Sequence, residues 1–511
     1  MDTRSDELVR VPTEHWGLAL SNTYAMELAG LHTPWSPTPA PRPDWLALNT
    51  ELAIELGIDA LALSGADGLS VLSGRALPEG VKPVAQAYAG HQFGHFSPQL
   101  GDGRALLLGE IVDTNGERRD IAFKGSGRTP FSRGGDGKAS VGPVLREYLM
   151  GEAMQALGIP TTRGLAAVAT GEQVQRERSL PGALLVRVAS SHLRVGSFQF
   201  FAARNELEKL KRLADYAIAR HDPVLEGQAD RYLRFLKAVA ERQAALIAKW
   251  MGVGFVHGVM NTDNMGISGE TIDYGPCAFL DAFDPHSVFS SIDRQGRYAY
   301  TNQPHIARWN LARLAEALLP LMGDDTDKAV GQATEVIDAF PALYQAQWLA
   351  VMRRKLGLAD TGHTVADAKM AEDFLLLLQS GRVDFTQAFR ALAGFADAEA
   401  TSASALMALL PPEGHEAMWA WLHKWWILML QSGGTGAEIA QALRSANPVY
   451  IPRNHLVEEA LEAASESGDM APFERLLRIL KRPFVEQTGC ERFAMADSAE
   501  RQASYRTFCG T

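Results

Sequence analysis

The sequence predicts an α+β fold of two lobes, with an N-terminal extension before them and a helical region after them. Apolar, strand-like segments joined by short turns lie mainly in residues 87–190 and define a small lobe. A larger lobe follows over residues 191–320 and contains the densest polar motif of the chain. Amphipathic helical segments dominate residues 321–511, which leaves residues 1–86 as the extension.

The extension is marked by a cluster of prolines and one helical stretch. Proline fixes φ and removes a backbone donor, so closely spaced prolines indicate irregular chain. A single helix is predicted from Trp45 to Leu56. The prolines of the cluster are Pro34, Pro37, Pro39, Pro41 and Pro43.

Two strands open the small lobe. Residues 104–112 and 119–124 are apolar runs, and Asn115-Gly116 between them is a strong hairpin signal because both residue types tolerate positive φ. Gly101 and Gly103 precede the first strand, where glycine lets backbone N–H groups approach phosphate closely, and Arg104 adds a fork of donors. Gly-x-Gly alone is a weak signal, and an ordinary turn explains it more often.

A lysine at a strand end has a predicted partner on the next helix. Lys124 ends its apolar strand, and Pro143 opens a helix in which Glu147 shares a side with apolar residues. A carboxylate in such surroundings needs a cation, so we expect Glu147 to pair with Lys124. The loop between them, residues 125–138, is rich in glycine and basic residues and contains Asp136.

The segment 256–265, followed by Asp273-Tyr274-Gly275, resembles the catalytic loop and metal-binding triplet of protein kinases. In that template His-x-Asp-x-x-x-x-Asn supplies a base and a metal ligand, and Asp-Phe-Gly supplies a second ligand. Aligning His257 and Asn264 with the template places Val259 at the base position, and valine cannot accept a proton. The prediction is a bilobal protein-kinase-like fold that either lacks catalysis or uses its nucleotide for a different transfer.

Three segments together resemble the selenoprotein O family, whose members are kinase-fold protein adenylyltransferases. They are residues 124–134, 257–264 and 273–276. The resemblance covers nearly the whole chain, from residues 88–95 to residues 447–455, and includes Cys509, at a position where family members carry selenocysteine or cysteine.

The resemblance implies the roles of individual residues. ATP is expected in a reversed orientation relative to a kinase, with its α-phosphate toward the acceptor. Asn264 and Asp273 match ligands of Mg²⁺ or Mn²⁺, and Asp263 matches the general base. The positions that match nucleotide contacts are Gly101, Gly103, Arg104, Lys124, Asp136, Gly137, Arg187, Arg194 and Asp273.

Arg187 also stands out on physical grounds. It lies within the apolar strand segment 184–188, and an arginine there is costly unless an anion meets it. A triphosphate would supply that anion, and a buried salt bridge to a carboxylate explains the position equally well.

The function implied by the resemblance is transfer of AMP from ATP to Ser, Thr or Tyr hydroxyls of protein substrates, with UMP from UTP as an open alternative. Redox-related proteins are candidate substrates. Two rival functions remain: a protein kinase, which Val259 disfavours, and a noncatalytic nucleotide-binding scaffold, which the set of Lys124, Glu147, Asn264 and Asp273 disfavours.

Composition excludes several other classes of protein. The chain of 511 residues is 46% hydrophobic and 21% charged, and its net charge of −11 argues against nucleic-acid binding. The most apolar segment, residues 418–430, is short and interrupted by His423 and Lys424, so it predicts a buried helix rather than a membrane span. The N-terminal segment contains Asp2, Asp6 and Glu7 and no apolar core, so we do not expect a secreted protein. We expect a cytoplasmic monomer without nucleic-acid or membrane partners.

The helical region and the cysteines complete the predictions. Helices are predicted over residues 365–378, 383–394 and 455–465. The chain has three cysteines, Cys277, Cys490 and Cys509. Position and resemblance together suggest a redox-sensitive Cys277–Cys509 disulfide. The alternatives are reduced thiols, as is usual in the cytoplasm, or pairing with Cys490.

Overall fold

Strands concentrate in the first 190 residues of the chain and helices in the remainder. The computed structural model describes residues 8–358, 364–399, 401–431 and 434–508. The strands are β1 (Val9–Val11), β2 (His32–Pro34), β3 (Asp44–Leu48), β4 (Ala76–Pro78), β5 (Val84–Gln86), β6 (Gly90–Gln92), β7 (His95–Ser97), β8 (Ala105–Val112), β9 (Arg118–Lys124), β10 (Ala139–Ser140), β11 (Arg163–Gln175), β12 (Ser179–Ala189), β13 (Phe255–Val256) and β14 (Ala278–Phe279). The helices up to the end of the predicted large lobe are α1 (Thr23–Glu27), α2 (Thr50–Glu55), α3 (Ala60–Ser64), α4 (Ala66–Leu72), α5 (Val141–Ala156), α6 (Val195–Ala202), α7 (Leu207–His221), α8 (Arg231–Val253) and α9 (Gln303–Leu318). Those that follow are α10 (Thr326–Leu356), α11 (Thr364–Gly381), α12 (Phe385–Asp397), α13 (Ser404–Met407), α14 (His415–Gln431), α15 (Gly436–Ala446), α16 (Asn454–Glu466), α17 (Ala471–Leu480) and α18 (Ala499–Ser504).

The main sheet has eight strands in the described part of the chain, in the order β2-β5-β8-β9-β12-β11-β3, with β10 paired to β12. Neighbouring strands are antiparallel. In the register of β9 with β12, Lys124 lies opposite Leu185, and Ala122 lies opposite Arg187. Since opposite residues and residues two apart share a face, Lys124 and Arg187 project from the same face of the sheet.

Helix α5 packs against β11 and β12. Val144, Leu145 and Tyr148 of this helix share a hydrophobic core with Leu185 of β12. The helix begins at Val141, two residues before the predicted start at Pro143. Glu147 therefore lies in the same layer as the apolar side chains that fix α5 on the sheet.

The predicted helix from Trp45 to Leu56 is wrong in its first half. Residues 44–48 form strand β3, which pairs with β11, and the helix α2 begins only at Thr50. The side chain of Asn49 caps α2 by accepting from the N–H of Leu52. Strands β2, β3 and β5, which lie within residues 8–86, belong to the main sheet together with β8, β9, β11 and β12.

The predicted hairpin of β8 and β9 forms, but with a longer turn than the motif indicated. The N–H of Asp113 donates to Glu117 O (2.8 Å), and the N–H of Gly116 donates to Asp113 O (2.9 Å). Gly116 alone of the predicted pair has a positive φ, at 82°. The Asp113 carboxylate accepts from the N–H groups of Asn115 and Glu117, which closes the turn.

The three helices predicted in the C-terminal region are confirmed as α11, α12 and α16, with ends that differ by a few residues. The apolar segment 418–430 lies in α14, where Trp425 is fully buried while Ile427 and Leu430 are more than half exposed. It is thus buried on one side only. No described helix is long and apolar enough to cross a membrane.

Residues at the start of α16 attach the C-terminal region to the chain that follows Asp273. Asn454 bonds both the N–H (3.2 Å) and the carbonyl (2.9 Å) of Phe279 in β14. The fully buried Arg453 pairs with Asp281 at 2.6 Å and with Asp384 at 2.7 Å. Arg453 and Asn454, which belong to the motif of residues 447–455, therefore have a structural role: they bind the segment that follows Asp273 to the C-terminal region.

Candidate active site

A cavity of about 730 Å³ opens beside the face of the main sheet that carries Lys124 and Arg187. The structure brings the predicted nucleotide, metal and base residues together around it. Those that line the cavity are Gly101, Gly103, Arg104, Lys124, Asp136, Gly137, Arg187, Arg194, Asp263, Asn264 and Asp273.

Lys124 lies between two carboxylates. Its Nζ is 2.5 Å from Glu147 Oε2 and 2.6 Å from Asp273 Oδ1. Burial alone would raise the pKa of Glu147, but Lys124 and Arg187 outweigh it and hold that pKa below its usual value. The carboxylate of Glu147 is therefore ionised, and it fixes the lysine at the cavity wall.

Arg187 is nearly fully buried and meets the same two carboxylates. Its Nη1 lies 3.0 Å from Glu147 Oε1 and 2.8 Å from Asp273 Oδ1. Its Nε donates to His192 Nε2 at 3.2 Å. Burial lowers the pKa of His192 to about 4, so the ring is neutral at pH 7 and can accept that bond. In this structure carboxylates supply the counter-charge that an arginine within an apolar strand requires.

Asp273 carries the most unusual backbone and charge environment of the site. Its φ is 62°, a left-handed conformation that costs a non-glycine residue on the order of 1 kcal/mol. Lys124 and Arg187 contact its Oδ1, and Arg194 contacts its Oδ2 at 3.2 Å. Burial opposes ionisation, but these three cations outweigh it and hold the pKa of Asp273 well below its usual value.

The charges around the cavity do not cancel. Seven cationic side chains line it, against four lining carboxylates and Glu147, which pairs with Lys124 and Arg187: the cations are Arg104, Lys124, Arg133, Lys138, Arg176, Arg187 and Arg194, and the lining carboxylates are Asp102, Asp136, Asp263 and Asp273. A surplus of cationic donors in a partly buried cavity favours an anion with several oxygens, such as a phosphate chain. Arg104 lies on the same cavity wall.

His257 anchors segment 256–265 to neighbouring parts of the chain. This buried ring bonds Ile272 O through Nε2 at 2.8 Å and stacks on Trp250. The loop is thereby joined to the residue before Asp273. Val259 forms an apolar part of the cavity wall and supplies no proton acceptor there.

Asp263 is the carboxylate that segment 256–265 contributes to the cavity. Its side chain is almost fully buried, and burial raises its pKa to about 6. Gln92 Nε2 donates to Oδ2 at 3.1 Å, and Arg194 donates to the backbone carbonyl at 2.8 Å. A carboxylate with a pKa just below neutrality is ionised at pH 7 and is well matched to general-base work.

Asn264 and Asp273 fit a divalent cation that shares its ligands with a nucleotide. Among the described residues no group of three His, Cys, Asp or Glu side chains could hold a metal ion. The Asn264 amide donates from Nδ2 to Val259 O at 2.9 Å, so its oxygen would be the atom that ligates a cation. One amide and one carboxylate oxygen suit Mg²⁺ or Mn²⁺, which commonly complete their shell with phosphate oxygens and water.

The glycines near the cavity are required by packing. A Cβ on Gly101 would lie 2.4 Å from the ring of Phe131, and one on Gly103 would lie 2.9 Å from Phe131 O. The N–H of Gly103 already donates to Gly101 O at 2.8 Å. The close approach of Phe131 thus requires glycine at both positions, and their contact with phosphate stays a prediction.

Loop 125–138 closes on itself beside the cavity. Gly137 has a φ of 68°, and a Cβ there would lie 2.0 Å from Gly127 O. Asp136 is held by both terminal nitrogens of Arg176, at 2.9 and 3.2 Å. Arg176 also lines the cavity and was missed from the sequence, because nothing in its surroundings indicates a partner 40 residues away.

Segment 88–95 was noticed only for its family resemblance, yet it supplies two residues of the site. Tyr88 lies under the guanidinium of Arg194, with 4.5 Å from Cζ to the ring centroid. Gln92 bonds Asp263. Both line the cavity.

Cys277 is a fully buried free thiol, and burial raises its pKa to about 11. Its proposed partner Cys509 lies outside the described residues. The chain just before Cys509 does approach this region, because Thr507 Oγ1 donates to Pro276 O at 2.7 Å.

Comparison with known proteins decides the family. The family model described as "Protein adenylyltransferase SelO" matches residues 20–481. This chain belongs to the SelO family. It is 58% identical over 491 residues to the protein nucleotidyltransferase YdiU of Cereibacter sphaeroides, covering 96% of this chain and 99% of that protein.

Other relatives of this SelO-family chain carry the same name. The YdiU protein of Chromobacterium violaceum is 58% identical over 479 residues, with 94% of this chain and 99% of that protein covered. The one from Rhizobium meliloti is 52% identical over 490 residues, with 96% and 99% covered. The resemblance noted in three short motifs thus extends along nearly the full length of these proteins.

Proposed function

We propose that this chain transfers AMP from ATP to Ser, Thr or Tyr hydroxyls of protein substrates, with UMP from UTP as an alternative. Membership in a family of protein nucleotidyltransferases supports the reaction class. The observation that carries the proposal is the pairing of a cationic cluster with Asp263 in one cavity, where Val259 occupies the base position of a kinase.

The charge distribution supports a reversed nucleotide. Arg187 and Arg194 are almost fully buried and Lys124 is largely so, and these cations would hold the β- and γ-phosphates, the most highly charged part of ATP. The α-phosphate would then lie toward the acceptor and Asp263. A two-lobed, kinase-like arrangement is consistent with an antiparallel sheet followed by helices α6 to α8, after which segment 256–265 follows.

The proposed transfer is an in-line displacement at the α-phosphorus, in which one bond forms as another breaks. The acceptor hydroxyl gives its proton to Asp263 as its oxygen bonds to the α-phosphorus, and the bond from that phosphorus to pyrophosphate breaks. Lys124, Arg187 and Arg194 stabilise the charge that develops on pyrophosphate. Mg²⁺ or Mn²⁺ held by Asn264 and Asp273 would neutralise further phosphate charge.

Mass spectrometry of modified protein tests the proposal, because AMP, UMP and phosphate add different masses. The purified chain is incubated with Mg²⁺ or Mn²⁺, an equal mixture of ATP and UTP, and dephosphorylated casein as a general acceptor. The expected product carries a nucleoside monophosphate on a hydroxyl residue. Phosphate alone would identify a kinase, and nucleotide binding without any modification would favour a scaffold.

A further inference from the structure

The hairpin of β6 and β7 is hydrogen-bonded to the loop that contains Asp263. The N–H of His91 donates to Thr262 Oγ1 at 2.7 Å, and the N–H of Phe93 donates to Asn261 Oδ1 at 3.2 Å. Between them, Gln92 Nε2 reaches Asp263 Oδ2 at 3.1 Å. Three consecutive hairpin residues thus bond three consecutive loop residues that lie about 170 positions further along the chain.

The two residues that follow Gln92 form a tight turn with a strained backbone, and this turn determines the position of Gln92 in the hairpin. Phe93 and Gly94 both have positive φ, 52° and 87°, which is the pattern of a tight two-residue turn between Gln92 and His95. A bulky aromatic residue rarely adopts this conformation. The N–H of Phe93 also donates to Tyr298 OH at 3.1 Å, and the two rings pack with centroids 5.1 Å apart. These contacts stabilise the strained turn.

The opposite side of the Asp263 carboxylate is closed by Gly90. A Cβ on Gly90 would lie 2.5 Å from Asp263 Oδ1, so only glycine permits this approach. Oδ1 is buried and finds no hydrogen-bond partner among the described residues. Oδ2, the oxygen bonded by Gln92, is therefore the one that remains to take a proton from a group in the cavity.

We propose that Gln92 is a positioning residue that fixes the rotation of the Asp263 carboxylate, so that Oδ2 presents its second lone pair to the acceptor hydroxyl. Gly90 supports this role by setting the position of Oδ1. The inference rests on the proposed function, in which Asp263 accepts the proton. Gln92 itself exchanges no proton with the acceptor.

Kinetics of three single variants test the role. Transfer from α-labelled ATP to dephosphorylated casein is measured for Q92A, Q92E and G90A, together with ATP affinity by calorimetry. Because small misplacements of a catalytic group cost up to about 10²-fold, we expect Q92A to lower kcat by roughly 10- to 100-fold with ATP affinity and the KM for ATP unchanged within about twofold. Q92E, which keeps the shape but removes the donor, and G90A, which crowds Oδ1, should show the same kinetic pattern.

H95A is the matched control, since His95 is exposed and lies opposite Gln92 in the hairpin register. It should leave kcat unchanged. A loss of ATP affinity in Q92A with kcat retained, or full turnover in Q92A, would overturn the positioning role.

A double-mutant cycle separates this inference from the proposed function. If Gln92 acts through Asp263, adding Q92A to D263N should lower the residual rate by less than about twofold. An equal loss in both backgrounds would show that Gln92 acts elsewhere. Full turnover in D263N would instead refute Asp263 as the base, whatever Gln92 does.

Discussion

The substitution Glu147→Gln tests the charge balance of the cluster. Glu147 is the partner of both Lys124, at 2.5 Å, and Arg187, at 3.0 Å, and its side chain is 7% exposed. Glutamine keeps the size and one acceptor, but its amide nitrogen faces a cation. Each charged hydrogen bond contributes about 1.5–3 kcal/mol, so the loss of one bond and the repulsion in its place predict a destabilisation of about 2–4 kcal/mol.

The assay is urea-induced unfolding followed by tryptophan fluorescence, with midpoints compared between variants. E172Q is the matched control, because Glu172 pairs with Lys138 in a site where both side chains are about a quarter exposed. A partly exposed pair contributes at most about 1 kcal/mol, so E172Q should shift the midpoint far less.

Pyrophosphate provides a second measurement on the same variant. Removing a negative charge raises the positive surplus around the cavity by one, so pyrophosphate should stabilise E147Q more than it stabilises the wild type. Equal losses in E147Q and E172Q, or equal stabilisation of E147Q and wild type by pyrophosphate, would refute the description of a cationic cluster balanced by Glu147.

Three further predictions concern other buried charges. Asp273→Asn should abolish metal-dependent ATP binding and transfer together, whereas Asp263→Ala should spare ATP binding in calorimetry and lower kcat by about 10²–10⁴-fold; full turnover in D263A would exclude it as the base. Burial lowers the pKa of Lys355 to about 7, against 10.5 for a free lysine. Between these pH values the unfolded chain binds one more proton than the folded chain. The free energy of unfolding of the wild type should therefore rise by about 1.4 kcal/mol per pH unit relative to that of K355M. A constant difference between the two free energies across this range would contradict the burial of a neutral amine.

The sequence could predict the members of the site because each belongs to a local motif. Lys124 at a strand end and Glu147 on the apolar side of a helix are visible in periodicity alone, and the packing of α5 on the sheet brings their charged atoms to 2.5 Å. Asn264 and Asp273 follow from the spacing of the kinase template, and the structure places both at the cavity that Lys124 lines.

Contacts made across long sequence separations could not be predicted. The hydrogen bond from Gln92 to Asp263 joins residues 171 positions apart, and the ion pair of Arg176 with Asp136 joins two loops. No local sequence pattern indicates either contact. Residues 44–48 were misassigned because a short apolar run before a helix has no distinguishing period, and pairing with β11 decides its conformation. The packing of Phe131 against Gly101 and Gly103 was likewise not visible in the sequence, because Phe131 lies about 30 residues further along the chain.

The central claim is that this site transfers the α-phosphoryl end of its nucleotide, and parallel incubations with α-labelled and γ-labelled ATP test it most directly. Val259 at the kinase base position and Asp263 beside the cationic cluster predict that protein acquires label from α-labelled ATP and none from γ-labelled ATP. D273N, which removes a predicted metal ligand, should abolish the signal. Label from γ-labelled ATP alone would contradict the account and identify a kinase.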